Sequence, residues 1–288
     1  MSPFARFLDS TAGRLALFVG ALVGLWVPAA LVWLVATGWA PGASFENLAT
    51  FQLLGVSVLL YAAIFGVLWF ISHRLDGRTL GQFGLAGDCA NLRLLGLGLA
   101  VGWLGLVLLV GLEALLGWLV WEPAGLAGFG RMFAEGLLVG LAVASIEELL
   151  FRGFLMHTVE RRNGWTAAAL VSALLFAVAH FLKPLEAILA SWPQFPGLVL
   201  MGLVLALARR RGDGRLGLAV GLHAGWVWAY YVLDTLDLVR YDHARTPEWL
   251  TGVGNNPLAG LAGIAFLVAT GVLVASLPPV RTKAESNA

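Results

Sequence analysis

Apolar runs of about 20 residues, the length that crosses a bilayer as a helix, recur along this chain from Leu15 to Leu277. Nothing else in the sequence restricts the fold as strongly. Lipid offers no hydrogen-bond partners, so each crossing segment must satisfy its own backbone, and a helix does so within itself. Only 12% of the 288 residues are charged, about half the share a soluble domain carries, so much of the surface must face lipid. The expected fold class is all-α: a polytopic membrane helix bundle of about eight transmembrane helices, forming a single membrane domain over residues 1–288. The spans read as Leu15–Trp39, Ala49–Ile71, Leu94–Val120, Glu135–Val159, Trp165–Leu182, Phe195–Ala208, Leu216–Leu233 and Pro257–Leu277.

Loop charge tests that division independently. Arg6 and Arg14, then Arg74, Arg78 and Arg93, then Arg161 and Arg162, then Arg209, Arg210, Arg211 and Arg215, and finally Arg281 and Lys283 fall on one side. The other side holds only Arg131, Lys183, Arg240 and Arg245. Cytoplasmic loops collect lysine and arginine, so both termini are expected in the cytosol. The first apolar run exceeds a signal-peptide core of roughly 7–15 residues, so it is expected to be a retained helix. A single cysteine, Cys89, excludes an intramolecular disulfide. The net charge of +1 gives no reason to expect a nucleic-acid partner. Glycines recur at small-xxx-small spacing, as Gly98 and Gly102, Gly136 and Gly140, and Gly217, Gly221 and Gly225. That spacing lets helix backbones approach closely inside lipid.

Against this background, ionisable residues inside spans stand out, because each costs several kcal/mol unless paired or hydrated. The fourth span reads Ser145-Ile146-Glu147-Glu148-Leu149-Leu150-Phe151-Arg152. Glu148 and Arg152 are four apart and meet on one helix face. Glu147 points about 100° away and is the functional candidate. In the fifth span Ser172, Phe176 and His180 share a stripe at four-residue spacing. Counted from the turn at Arg161–Gly164, Glu147 lies about 21 Å along one helix and His180 about 24 Å along the next. A turn that short makes the two helices antiparallel neighbours. In the seventh span His223 sits opposite Gly217, Gly221 and Gly225, turned into the bundle. The same count puts His223 only about 12 Å deep, shallower than Glu147.

Glu147-Glu148-xxx-Arg152, Phe176-xxx-His180 and His223, in three successive core elements, resemble the EExxxR, FxxxH and HxxxN motifs of the CPBP proteases. This intramembrane family includes the type 2 CAAX prenyl proteases and bacteriocin-processing members. The resemblance covers the core from Glu135 to Leu233 and implies an intramembrane endopeptidase in a cell membrane, expected to be a prokaryotic inner membrane. Its implied partners are the bilayer and a membrane-anchored or hydrophobic peptide substrate. It further implies that Glu147 activates a water with His180, that His223 stabilises the oxyanion, and that Glu148, Arg152 and Phe176 support them. The third motif departs from the family: Val227 stands where an asparagine is usual. Valine cannot donate a hydrogen bond. Trp226 and Tyr230 lie near the face of His223 and are candidate substitute donors.

No cofactor is required by this chemistry, although two histidines and a carboxylate are also a zinc set, and the spacing does not choose between them. The competing readings are an inactive CPBP-like scaffold or immunity protein, prompted by Val227, and a proton-coupled transporter with a Glu147–His180 relay. No inverted repeat supports the transporter. Other intramembrane protease classes fit worse. The sequence has no His-Glu-xx-His and no Gly-x-Ser-Gly, and Asp213 and Asp242 lie in loops.

Overall fold

Apolar side chains gain little by leaving lipid for one another, so helices in a bilayer associate where small residues let backbones touch or where polar groups pair. The arrangement of this chain follows that rule. A computed structural model describes residues 10–122 and 128–280; Arg6, Arg281 and Lys283 lie outside the described residues. The chain divides into two compact units, Met1–Gln82 and Phe83–Ala288.

In the first unit, α1 (Thr11–Ala36) packs on α2 (Thr50–Phe70), which continues as a π-helical turn over Ile71–Leu75. Gly55 makes room for the Trp33 indole, whose Nε1 donates to the Gln52 carbonyl at 3.1 Å. Trp26 Nε1 donates to Val56 O at 3.1 Å, and Arg14 pairs with Asp76.

The second unit contains α3 (Cys89–Leu115), α4 (Phe129–Glu148), α5 (Met156–Ala179), α6 (Leu185–Ser191), α7 (Phe195–Arg211), α8 (Gly217–Thr235), α9 (Glu248–Thr251) and α10 (Leu261–Ser276). Helix α8 is the hub, packed against α3, α4 and α7 and buried along most of its length. Glycines make this possible. A Cβ on Gly98 would lie 2.5 Å from the Leu218 carbonyl oxygen and 2.9 Å from the Gly221 Cα. A Cβ on Gly140 would lie 2.7 Å from the Ala224 carbonyl oxygen. So α3 and α4 meet α8 backbone to backbone on two sides, at the glycines the sequence singles out.

Four stretches are long and apolar enough to cross a membrane: Thr11–Ala36, Thr50–Leu75, Cys89–Leu115 and Leu185–Arg211. This is an all-α membrane helix bundle and an integral membrane protein. The fourth stretch is longer than the expected Phe195–Ala208, because α6 leads into α7 and adds turns to it. The helices bearing Glu147, His180 and His223 are not among the four. A small feature absent from the sequence reading joins α3 to the end of α8. Leu119–Trp121 (β1) and Val239–Tyr241 (β2) pair antiparallel, Leu119 opposite Tyr241 and Trp121 opposite Val239. Tyr241 also donates its hydroxyl to the buried Glu113 at 2.9 Å.

Candidate active site

Each candidate residue owes its position to a local device. Helix α4 does not end after its two glutamates but widens into a π-helical turn, Leu149–Leu155, before α5 resumes the α-helix. Such bulges are rare and concentrate at functional sites. The chain then reverses within α5 at Gly164, whose φ of 76° and ψ of 170° are outside the helical region; a positive φ favours glycine. The second half of α5 returns along the π-turn, as the pairing of Phe151 with Phe176 shows (ring centroids 5.3 Å apart). The antiparallel pair expected from the short turn at Arg161–Gly164 is therefore present.

Glu148 is the centre of a buried charge network. Its Oε1 accepts from Arg152 Nη1 at 2.8 Å and lies 2.9 Å from His223 Nδ1. Glu148 and Arg152 are both fully buried, and His223 is 3% exposed. Arg152 Nη2 donates to the Gly202 carbonyl at 3.0 Å, which ties α7 into the same network. A Cβ at Gly202 would lie 3.2 Å from that nitrogen, so the glycine leaves the guanidinium its space. The Arg152 guanidinium also lies over the Phe176 ring, 4.5 Å from its centroid. A carboxylate oxygen only accepts, so the contact with Glu148 places a proton on His223 Nδ1. Nε2 is then the ring atom turned toward Glu147, 3.9 Å from Glu147 Oε2. Glu147 is less enclosed, its side chain 16% exposed.

His180 caps the C-terminus of α5 and is exposed. Its Nδ1 lies 2.8 Å from the Phe176 carbonyl oxygen, so Nδ1 carries the proton and Nε2 keeps a lone pair. Phe176 connects the two histidines: its ring centroid is 4.5 Å from that of His180 and 5.8 Å from that of His223. Glu147, Glu148, Arg152, Phe176, His180 and His223 thus form one contiguous group drawn from α4, the π-turn, α5 and α8.

The depth count misplaced His223, and the structure corrects it. That count assumed that every helix starts at the same level. Helix α8 instead begins inside the protein: Leu216 is fully buried, its N–H bonds to Gly84 O at 2.9 Å, and Gly217 N–H bonds to Asn91 Oδ1 at 2.7 Å. The sequence reading gave Glu148 a partner in Arg152 but missed its contact with His223, and it missed Gly202 altogether. Only the glycine in the middle of α7 hinted at the latter.

The two candidate substitutes for the asparagine differ. Tyr230 donates to Asp234 at 3.5 Å and lines a separate cavity with Asp234, Asp237 and Tyr241. Trp226 is 1% exposed, and among the described residues its indole N–H has no partner. A zinc set would need three converging ligands, and among the described residues no three His, Cys, Asp or Glu side chains are grouped to hold a metal.

No curated protein and no solved structure matches the chain. Residues 129–229, which contain every residue of this group, match the family model described as type II CAAX prenyl endopeptidase Rce1-like. Over that segment the chain is similar to the CAAX-type proteases that the model describes.

Proposed function

We propose that the chain is an intramembrane endopeptidase that hydrolyses a peptide bond in a membrane-anchored or hydrophobic substrate with a glutamate-activated water. The observation that carries the reading is the 3.9 Å approach of Glu147 Oε2 to His223 Nε2, with His180 held across the Phe176 ring. Two groups 3.9 Å apart can both reach one water oxygen at an ordinary hydrogen-bond distance of about 2.8 Å. Glu147 takes a proton from the water as general base, and His180 Nε2 orients the water through its lone pair. The hydroxide oxygen bonds to the carbonyl carbon as the carbonyl π electrons move to oxygen. The tetrahedral intermediate then collapses: the oxyanion electrons re-form the carbonyl as the C–N bond breaks, and the proton held by Glu147 passes to the leaving amine nitrogen. Glu147 and His180 fill these roles from residues of this chain alone, with no metal step.

His223 and Trp226 serve the oxyanion. With Nδ1–H committed to Glu148, His223 donates from Nε2 when both ring nitrogens carry protons, and Glu148 provides the counter-charge. The unspent indole N–H of the buried Trp226 supplies the donor that Val227 cannot. Eight crossings with both termini cytosolic remain the layout that loop charge supports best, and the motif resemblance supports a core over residues 135–233.

The test is cleavage of a membrane-anchored reporter by purified enzyme in lipid discs. Glu147→Gln keeps the shape and removes the base, so it should abolish cleavage; full activity in that variant ends the proposal. Val227 keeps one rival reading open. A wild-type protein that folds and cleaves nothing under any condition would instead be an inactive family member.

A further inference from the structure

Serine and threonine in a helix ordinarily return their hydroxyl to the carbonyl four residues back. Ser57, Ser72, Thr158, Ser191 and Thr270 all do so here, donating to Leu53, Leu68, Phe154, Ala187 and Phe266 at distances from 2.6 to 3.0 Å. Ser172 does not. Its hydroxyl crosses to another helix and donates to the Phe151 carbonyl at 2.9 Å, and the side chain is fully buried. The acceptor is a particular carbonyl. Phe151 lies inside the π-turn, and its oxygen also receives the Met156 N–H, the five-residue bond that defines the widened turn. Ser172 therefore bonds to the oxygen on which the bulge depends.

The consequences reach the site along one stripe of α5. Ser172 holds the π-turn carbonyl. One turn on, Phe176 packs against Phe151 and under Arg152. A turn further, His180 closes the helix. Ser172 lies about 12 Å along the helix from His180, and Phe151 is one turn past Glu147. A single hydrogen bond thus registers the helix bearing the base against the helix bearing His180. We propose that Ser172 is a positioning residue for hydrolysis: its hydroxyl fixes the π-turn and so sets the separation of Glu147 and His180. The inference rests on the hydrolase reading above.

Two variants test it in the full-length enzyme. Ser172→Ala deletes the hydroxyl, and Ser172→Cys is close in size but only a weak donor. Thr270→Val, which removes an ordinary hydroxyl-to-own-helix bond far along the chain, serves as the stability control. Both Ser172 variants should lower kcat about ten- to hundredfold, as small misplacements of reacting groups do. KM should stay within about twofold, because no substrate contact is lost. The acid limb of the kcat–pH profile should move in the Ser172 variants and not in Thr270→Val. Wild-type kcat in both Ser172 variants overturns the inference. So does a loss of activity that merely tracks the folded fraction, or a failure of both variants to fold, since either leaves Ser172 a purely structural role. Glu147→Gln, measured alongside, separates the two ideas: if it stays fully active the hydrolase reading falls, whereas if it is inactive while the Ser172 variants are normal, only the positioning role falls.

Discussion

Gly98 and Gly96 are two residues apart on α3, yet the structure assigns them opposite responses to the same substitution. A Cβ at Gly96 meets nothing within 4 Å, so Gly96→Ala should gain the helix propensity of alanine, about 0.5–1 kcal/mol. A Cβ at Gly98 would lie 2.5 Å from Leu218 O, 2.7 Å from Leu222 N and 2.9 Å from Gly221 Cα. All three are backbone atoms of α8, which no rotamer change can move aside. Restoring normal contact distances of about 3.5 Å requires α3 and α8 to part by roughly 1 Å. Overpacking of this kind costs about 1–3 kcal/mol, or about 2–4 °C of thermal midpoint for each kcal/mol in a chain of this size. Helix α8 cannot simply retreat, because Gly140 of α4 lies against it on the other side. A shift of about 1 Å that carried His223 away from Glu148 would stretch the 2.9 Å contact from its Nδ1 beyond hydrogen-bonding range. Gly98→Ala should therefore lower both the thermal midpoint in lipid discs and the turnover of a membrane-anchored reporter, while Gly96→Ala raises the first and leaves the second intact. If the two variants behave alike, the backbone contact between α3 and α8 is not what seats His223.

Three further outcomes follow from the same geometry. Arg152→Met takes from the buried Glu148 its guanidinium counter-charge and leaves it only the His223 contact, which should cost about 3–5 kcal/mol as well as activity; adding Glu148→Leu should recover part of the stability but none of the turnover, and denaturant titration with a cleavage assay reads both. Trp226→Phe deletes the indole N–H and leaves a small cavity at a buried position, so kcat should fall about 10²- to 10³-fold if the group serves as an oxyanion donor, well beyond what the modest loss of thermal midpoint from the cavity explains; normal turnover would remove Trp226 from the site. At the head of α3, the Asp88 carboxyl is held below the ordinary carboxylate range, first by the Asn91 backbone N–H and then by Arg215. Because the folded value is the depressed one, the stabilisation is complete above the ordinary aspartate value of about 3.9 and is lost as pH falls through the folded value. The thermal midpoint of Asp88→Asn should accordingly fall less steeply with acid than that of the wild type.

The parts of this site that the sequence made legible are those governed by local periodicity or by the cost of charge in lipid. Four-residue spacing predicts the Glu148–Arg152 pair and the Ser172–Phe176–His180 stripe, and both are present: the stripe because α5 is regular there, the pair because residues four apart still share a face in the widened turn. The glycine spacing predicts the close approach of α3 and α4 to α8, since only residues without side chains permit it. Helix starts and helix defects were not legible. The level of His223 depends on where α8 begins, and that is set by Gly84 and Asn91, far away in the sequence. The π-turn leaves no compositional trace, so the second acceptor site on the Phe151 carbonyl and the partner of Ser172 could not be read from spacing. The same argument bears on Val227. An asparagine at that position would be recognised by residue type, whereas a substitute donor is recognised only by being buried and unspent, a property of packing. Trp226 has that property and Tyr230 does not. On the proposed mechanism, the missing asparagine is thus better treated as a question about which buried donor lies beside His223 than as evidence that the site is dead.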